Sequence, residues 1–163
     1  MIFVTVGHQM PFDRLVTAVD AWAARNARDD VFAQIGETSY RPGHIQWVAR
    51  MDPDEFRDRV AAADAIVSHA GMGTILTALE LGRPIVVMPR VARLSETRND
   101  HQVATAVRFR ELGRVSVAMD ESEIPAALDG LGGLSGGDRI SPEASPRLID
   151  AVRTFILGGV RPI

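Results

Sequence analysis

Residues 65–89 read AIVSHAGMGTILTALELGRPIVVMP, and this stretch decides the fold. Residues 65–68 form an uncharged apolar run of the kind buried inside a sheet. Two glycines, Gly71 and Gly73, break it. Residues 74–81 then carry apolar side chains at helical spacing, and Gly82 marks their end. Residues 85–88 are continuously apolar and lie between Pro84 and Pro89, a second buried strand. Strands apolar on both faces, joined by a helix, belong to a parallel sheet covered on both sides.

The same alternation extends outward. Towards the N-terminus, residues 2–6, 31–35 and 45–48 read as strands. Residues 13–25 place Leu15, Val16, Val19, Trp22 and Ala23 on one helical stripe. Pro53 suits the first turn of a helix over residues 53–62, with Asp52 as its cap. Towards the C-terminus, residues 99–112 read as a helix ending at Gly113, residues 115–118 as a strand and residues 122–131 as a helix. A glycine-rich loop spans residues 130–137. Residues 147–157 read as a closing helix with Leu148, Val152, Phe155 and Ile156 on one face. The expectation is one domain, α/β, with a Rossmann-like doubly wound parallel sheet of about six strands in the order 3-2-1-4-5-6.

Composition narrows the chemistry. The 163 residues are 46% hydrophobic and 24% charged, with a net charge of -3, so nothing points to a nucleic-acid partner. There is no cysteine, which excludes disulfides, thiolate zinc sites and a cysteine nucleophile. All 18 basic residues are arginine. A Walker A loop, a Schiff-base lysine and a lysine general base are therefore excluded. Any bound anion must be held by arginine, neutral donors or backbone N–H groups. No run is long and apolar enough for a bilayer span, and residues 1–12 read as a first strand rather than a leader, so a cytoplasmic location is expected.

In an open parallel sheet, ligands bind at the carboxyl ends of the strands where the order reverses, here between strands 1 and 4. Strand 1 runs into Gly7, His8, Gln9, Met10 and Pro11. Strand 4 runs into Ser68, His69, Ala70, Gly71, Met72, Gly73 and Thr74. The second loop opens a helix whose unpaired N–H groups form a phosphate seat that needs no lysine. A plain strand–helix turn capped by Thr74 is the structural alternative. Arg90, Arg93 and Arg98 are candidate holders of a phosphate or a partner, and Asn99, Asp100, His101 and Gln102 are expected to point at the same crevice from strand 5, with groups suited to sugar hydroxyls; an ordinary capped helix behind a solvated loop is the alternative, and by themselves these residues favour it. The four histidines lack zinc-ligand spacing, so no metal is expected. Ser68 is not in a nucleophile elbow. Glu37, just past strand 2, keeps a dinucleotide-dependent oxidoreductase open, although the three-glycine fingerprint is missing.

Residues 1–15, MIFVTVGHQMPFDRL, resemble small bacterial exopolysaccharide glycosyltransferase subunits of the PssE type. Residues 68–89 resemble the nucleotide-binding segment of the family 28 glycosyltransferase C-terminal domain, found also in MurG-type transferases. Asn99, Asp100, His101 and Gln102 resemble that family's closing Asp/His-Gln signature. The likeness extends to about Met119. It implies the C-terminal, donor-binding half of a GT-B transferase: a metal-independent, inverting enzyme that takes a UDP-sugar and needs no other cofactor. The acceptor half would lie on a membrane-anchored partner chain that recruits this one to the inner face of the membrane. The acceptor would be a lipid-linked sugar, in exopolysaccharide or glycolipid synthesis, and without its partner this chain is a candidate homodimer.

Carried over position by position, Gly71, Met72, Gly73 and Thr74 would meet the pyrophosphate, with Ser68 and His69 beside them. Asn99, Asp100, His101 and Gln102 would face the donor sugar. Gly7, His8 and Gln9 would border the pyrophosphate and the cleft, with His8 the local candidate base. The region around Val48 to Met51 would lie near the uracil. Many relatives bind the ribose through a glutamate at the position of Thr77, and Glu96 is the expected substitute. That departure keeps a non-catalytic sugar-nucleotide sensor as the alternative.

Overall fold

The computed structural model describes residues 1–113, 115–133, and 140, 141, 143, 146, 147, 149, 150, 153 and 154. The strands are β1 (Ile2–Thr5), β2 (Val31–Gln34), β3 (Gln46–Val48), β4 (Ala65–His69), β5 (Ile85–Met88) and β6 (Ser116–Val117). The helices are α1 (Asp13–Arg25), α2 (Pro53–Ala62), α3 (Met72–Glu80), α4 (His101–Glu111) and α5 (Ile124–Asp129). The strands form one sheet in the order β3-β2-β1-β4-β5-β6, the order expected from the sequence. Every pairing is parallel.

The period of two along each strand sorts the apolar side chains into two cores. Ile2, Val4, Val67, Val86 and Met88 face α1 and α5, where they meet Leu15, Val16, Val19, Trp22, Ile124 and Leu128. Phe3, Ile66, Ile85 and Val87 face the other way, onto Val60 of α2, Ile75, Ala78 and Leu79 of α3, and Ala106 of α4. Both faces are dry, which is why the central strands carry no alternation of polar residues. Two local contacts set helix positions. Asp52 Oδ1 accepts from the Glu55 N–H at 2.8 Å, capping α2 beside Pro53. Trp22 Nε1–H donates to Asp129 at 2.8 Å, tying α1 to α5.

Element ends differ from the sequence expectation where polar side chains intervene. α3 begins at Met72 with Gly71 as its cap, two residues early, so Thr74 is buried in the first turn instead of capping it. α4 begins at His101, because Asn99 Oδ1 accepts from the His101 N–H at 3.2 Å and Asp100 Oδ1 turns to the Ala92 N–H at 2.8 Å. α5 is shorter than expected, because Asp120 draws Ser122 into a turn ahead of it. The β5–α4 loop contains an unforeseen 3-10 turn, Ala92–Leu94. The glycine-rich stretch enters as another such turn, Gly130–Gly133. Its continuation to Gly137 lies outside the described residues, as does the expected apolar face of Leu148, Val152, Phe155 and Ile156.

Candidate functional site

Parallel register brings the chemistry together. Thr5 pairs with Ser68 across β1 and β4, and His69 pairs with Met88 across β4 and β5. Three strands therefore end at one level, and the β1–α1 and β5–α4 loops line one crevice, a cavity of about 500 Å³, whose wall does not include Gly71, Met72, Gly73 or Thr74. His8, Gln9 and Met10 line it from the β1–α1 loop, and His69 from the end of β4. Glu96, Thr97, Arg98, Asn99, His101 and Gln102 line it from the β5–α4 side. A second cavity of about 280 Å³ lies across the β1–α1 loop, bounded by Gly7, His8, Gln34, Glu37 and Arg50.

The β1–α1 loop is shaped from below by an amide–hydroxyl relay. Buried Gln34 donates from Nε2 to the carbonyls of Gly7 and Ala49, both at 3.1 Å, and accepts from Thr5 Oγ1 at 2.7 Å. Gly7 sits at φ +77°, where a side chain is strained, and a Cβ there would stand 2.8 Å from His69 Cε1. A Cβ on Gly71 would stand 2.2 Å from His69 Nε2. The imidazole of His69 is thus wedged between the two loops, and both glycines are required by a histidine. Gly73 has open space around it and is exposed.

The remaining sequence-derived residues take varied positions. Ser68 is fully buried and donates its hydroxyl to the His69 carbonyl at 2.8 Å. Met72 is exposed at the start of α3, and the Thr77 hydroxyl donates back to the Gly73 carbonyl at 2.9 Å. Gln102 is buried, and its Oε1 accepts from the Arg90 N–H at 3.2 Å. Asn99 Oδ1 is shared between the His101 N–H and the His101 ring. Met51 is half-buried and packs on the α2–α3 core, away from the cavity wall. Glu96 is drawn into the protein: Arg14 donates to both of its oxygens at 2.9 Å, and one of them also accepts from the Val91 N–H at 2.9 Å. Its carboxylate is already satisfied. Glu37, kept open as a ribose ligand of a dinucleotide, pairs instead with Arg50 at 2.9 Å. Glu80 turns towards Arg57 of α2, 3.8 Å away.

Three residues that shape the site were not singled out for that role by the sequence: Gln34, Arg14 and Arg90. Arg90 was read as an anion holder, but it is buried and donates to backbone carbonyls of the two loops. The signal was available, because a charged residue two positions past a fully apolar strand, when buried, must find internal partners.

The electrostatics favour an anion. Burial lowers the Arg90 pKa to about 10, which leaves it charged at neutral pH. Arg98 stands at the rim. The first turn of α3 has no side-chain cap, so its N–H groups and the positive end of its dipole face outward. Among the described residues no group of three or more His, Cys, Asp or Glu stands close enough to hold a metal ion.

Burial, and after it the Arg90 guanidinium, push the His69 pKa down to about 4, with His8 acting in the same direction. Nδ1 of His69 is buried without a hydrogen-bond partner among the described residues. The folded protein therefore keeps His69 neutral where the unfolded chain, with a pKa of 6.5, takes up a proton. Stability from this group is full above that value and falls as pH drops towards 4, by about 3 kcal/mol in all. Urea midpoints should decline between about pH 6.5 and pH 4.5, and the decline should flatten in His69→Gln. Equal slopes in the two proteins would remove His69 as the cause.

The family model described as Glycosyltransferase family 28 C-terminal domain matches residues 1–129. Among curated proteins, the human UDP-N-acetylglucosamine transferase subunit ALG13 is 28% identical over 124 residues, covering 70% of this chain and 10% of that protein. Among solved structures, the NMR structure of ALG13 superposes with a TM-score of 0.59 at 18% identity, covering 93% of each chain. The crystal structure of Acinetobacter baumannii MurG superposes with a TM-score of 0.65 at 16% identity, covering 93% of this chain and 49% of that one. At such identities the structural likeness speaks for the fold, that of the C-terminal half of a GT-B glycosyltransferase. The chain spans a tenth of the length of its human relative. The match over residues 1–129, on a sheet whose two glycine-bearing loops meet at the switch point, establishes that the chain belongs to the family 28 glycosyltransferase C-terminal domain family.

Proposed function

We propose that this chain is the donor-binding half of a two-chain, metal-independent glycosyltransferase. It takes a UDP-sugar and, with a membrane-anchored acceptor-binding partner, transfers the sugar with inversion to a hydroxyl of a lipid-linked acceptor. Family membership supports glycosyl transfer. The description of the human relative as a transferase subunit supports a divided enzyme. The observation that carries the reading is the crevice itself. Amide groups and a buried arginine line it, the carboxylate in its wall, Glu96, is paired with Arg14, and the uncapped first turn of α3 begins three residues after His69.

In this reading the N–H groups at the head of α3, beside Gly71 and Gly73, receive the diphosphate. Asn99, His101 and the amide nitrogen of Gln102 face the donor sugar. The acceptor oxygen attacks the anomeric carbon as the bond to the β-phosphate oxygen breaks, and UDP leaves with the electron pair. The charge growing on UDP is stabilised by the helix N-terminus and the arginine field. The acceptor proton passes to a base, either on the partner or His8 at the cavity mouth. No helix among the described residues is long and apolar enough to cross a membrane, so the membrane contact is assigned to the partner. The work of the pair is exopolysaccharide or glycolipid synthesis at the inner membrane face.

Calorimetry should give saturable binding of UDP and of a UDP-sugar to the chain alone, with sugar transfer only after the partner is added. Absence of UDP binding overturns the proposal. One observation favours a second reading, a non-catalytic sugar-nucleotide sensor: the Thr77 hydroxyl is closed onto Gly73, so α3 offers no carboxylate for the ribose at that position. Transfer on addition of the partner removes the sensor reading.

A further inference from the structure

We infer that Arg90 is a positioning residue, whose buried guanidinium gathers carbonyls from the β1–α1 and β5–α4 loops and thereby sets where His8, Gln9 and Asn99 stand across the cleft. The inference rests on reading the cleft as a UDP-sugar site. Arg90 stands two residues past the end of β5, after Pro89, and is 4% exposed. Its Nη2 donates to the carbonyls of Val6, at 2.7 Å, and Met10. Its Nη1 donates to the carbonyl of Pro11 at 2.7 Å and to that of Glu96 at 3.3 Å. The guanidinium carbon stands 4.6 Å from the centroid of the Phe12 ring, which walls it from the core. Its own backbone N–H donates to Gln102.

Gln34 holds this loop at the Gly7 carbonyl, and the Arg90 bonds hold it at Met10 and Pro11. Met10 and Pro11 lie outside any strand or helix, so their carbonyls need a donor from elsewhere. One planar fork supplies that donor to three positions of a single loop and to a fourth in the loop opposite. An ammonium group is a point donor and cannot span them. Arg14 makes the parallel tie one layer out, holding Glu96 from α1 and donating to the Pro89 carbonyl at 3.3 Å. Both Nη groups of Arg90 are occupied by the loops it holds, and the residue also lines the crevice.

The test is amide hydrogen exchange on the full chain, with UDP calorimetry in parallel, for wild type, Arg90→Lys and Arg90→Ala. Amides of residues 7–10 and 99–102 should exchange about tenfold faster in both variants, while those of β4 and β5 keep their protection. UDP should bind about tenfold more weakly. Millimolar methylguanidinium should restore both quantities in Arg90→Ala. Unchanged loop exchange overturns the inference, as does a uniform increase that includes β4 and β5, or raised loop exchange that methylguanidinium leaves untouched. A wild type that does not bind UDP overturns the functional reading alone, and the exchange comparison still judges Arg90.

Discussion

Gly73→Glu should abolish measurable UDP binding while leaving the protein as stable as before, or slightly more so. Gly73 is in the first turn of α3, exposed, with nothing within 4 Å of the place a Cβ would occupy. Replacing glycine by a helix-forming residue contributes about 0.5–1 kcal/mol in a helix. A carboxylate at a helix N-terminus interacts favourably with the dipole, by about 0.3–1 kcal/mol. The bound diphosphate meets the opposite situation. Two like charges about 4 Å apart near a surface repel by about 4 kcal/mol, enough to lower affinity by nearly a thousandfold. Thermal unfolding and calorimetry on the same sample check both halves. Retained UDP affinity in the folded variant would take the head of α3 out of the site, and with it the proposed location of the diphosphate.

Gly71→Ala should behave differently, although the two glycines lie only two positions apart. Its backbone is not strained, with φ at -88°. The obstacle is steric: the added methyl would stand 2.2 Å from His69 Nε2 and 2.8 Å from Cε1. The same Cε1–Nε2 edge of His69 also stands against Gly7 and the ring is largely buried, so it cannot simply slide away. Overpacking of this kind costs about 1–3 kcal/mol. In a His69→Ala background the same methyl meets no ring, and Gly71→Ala should then be close to neutral. A double-mutant cycle from urea denaturation measures the coupling. Equal costs in both backgrounds would mean that the histidine is not what demands the glycine.

The contrast between these glycines shows where reading the chain by itself stops. Both were legible as members of a glycine turn opening a helix, and a phosphate seat was inferred from the pair together. Their separate reasons depend on a side chain packed in three dimensions. Gly71 makes room for His69, and Gly73 makes room for nothing among the described residues. Glu96 and Arg90 follow the same logic. Each was read as a ligand because it lies in a polar loop near the crevice, yet Arg14, 82 positions away in sequence, occupies the carboxylate of Glu96. Arg90 reaches back 84 positions to Val6. Long-range partners leave no periodic trace in a sequence. The boundary differences at α3 and α4 have the same origin, because Thr74 is drawn into the core and Asp100 is turned aside to the Ala92 N–H.

What residue order alone determined is the layered architecture, its strand order and the two loops that meet at the switch point. Those properties depend on local periodicity, on where glycine and proline interrupt it, and on the fixed handedness of parallel crossovers. Only the tertiary structure decided which polar groups in those loops remain free for a ligand. The parallel register brings arginines, a histidine and amides from distant segments to one level, where they satisfy one another's buried donors and acceptors first. That pairing cost outweighs local preference, and it leaves His8, Gln9, Thr97, Arg98, Asn99 and His101 among the residues lining the cleft, and the first turn of α3 without a side-chain cap.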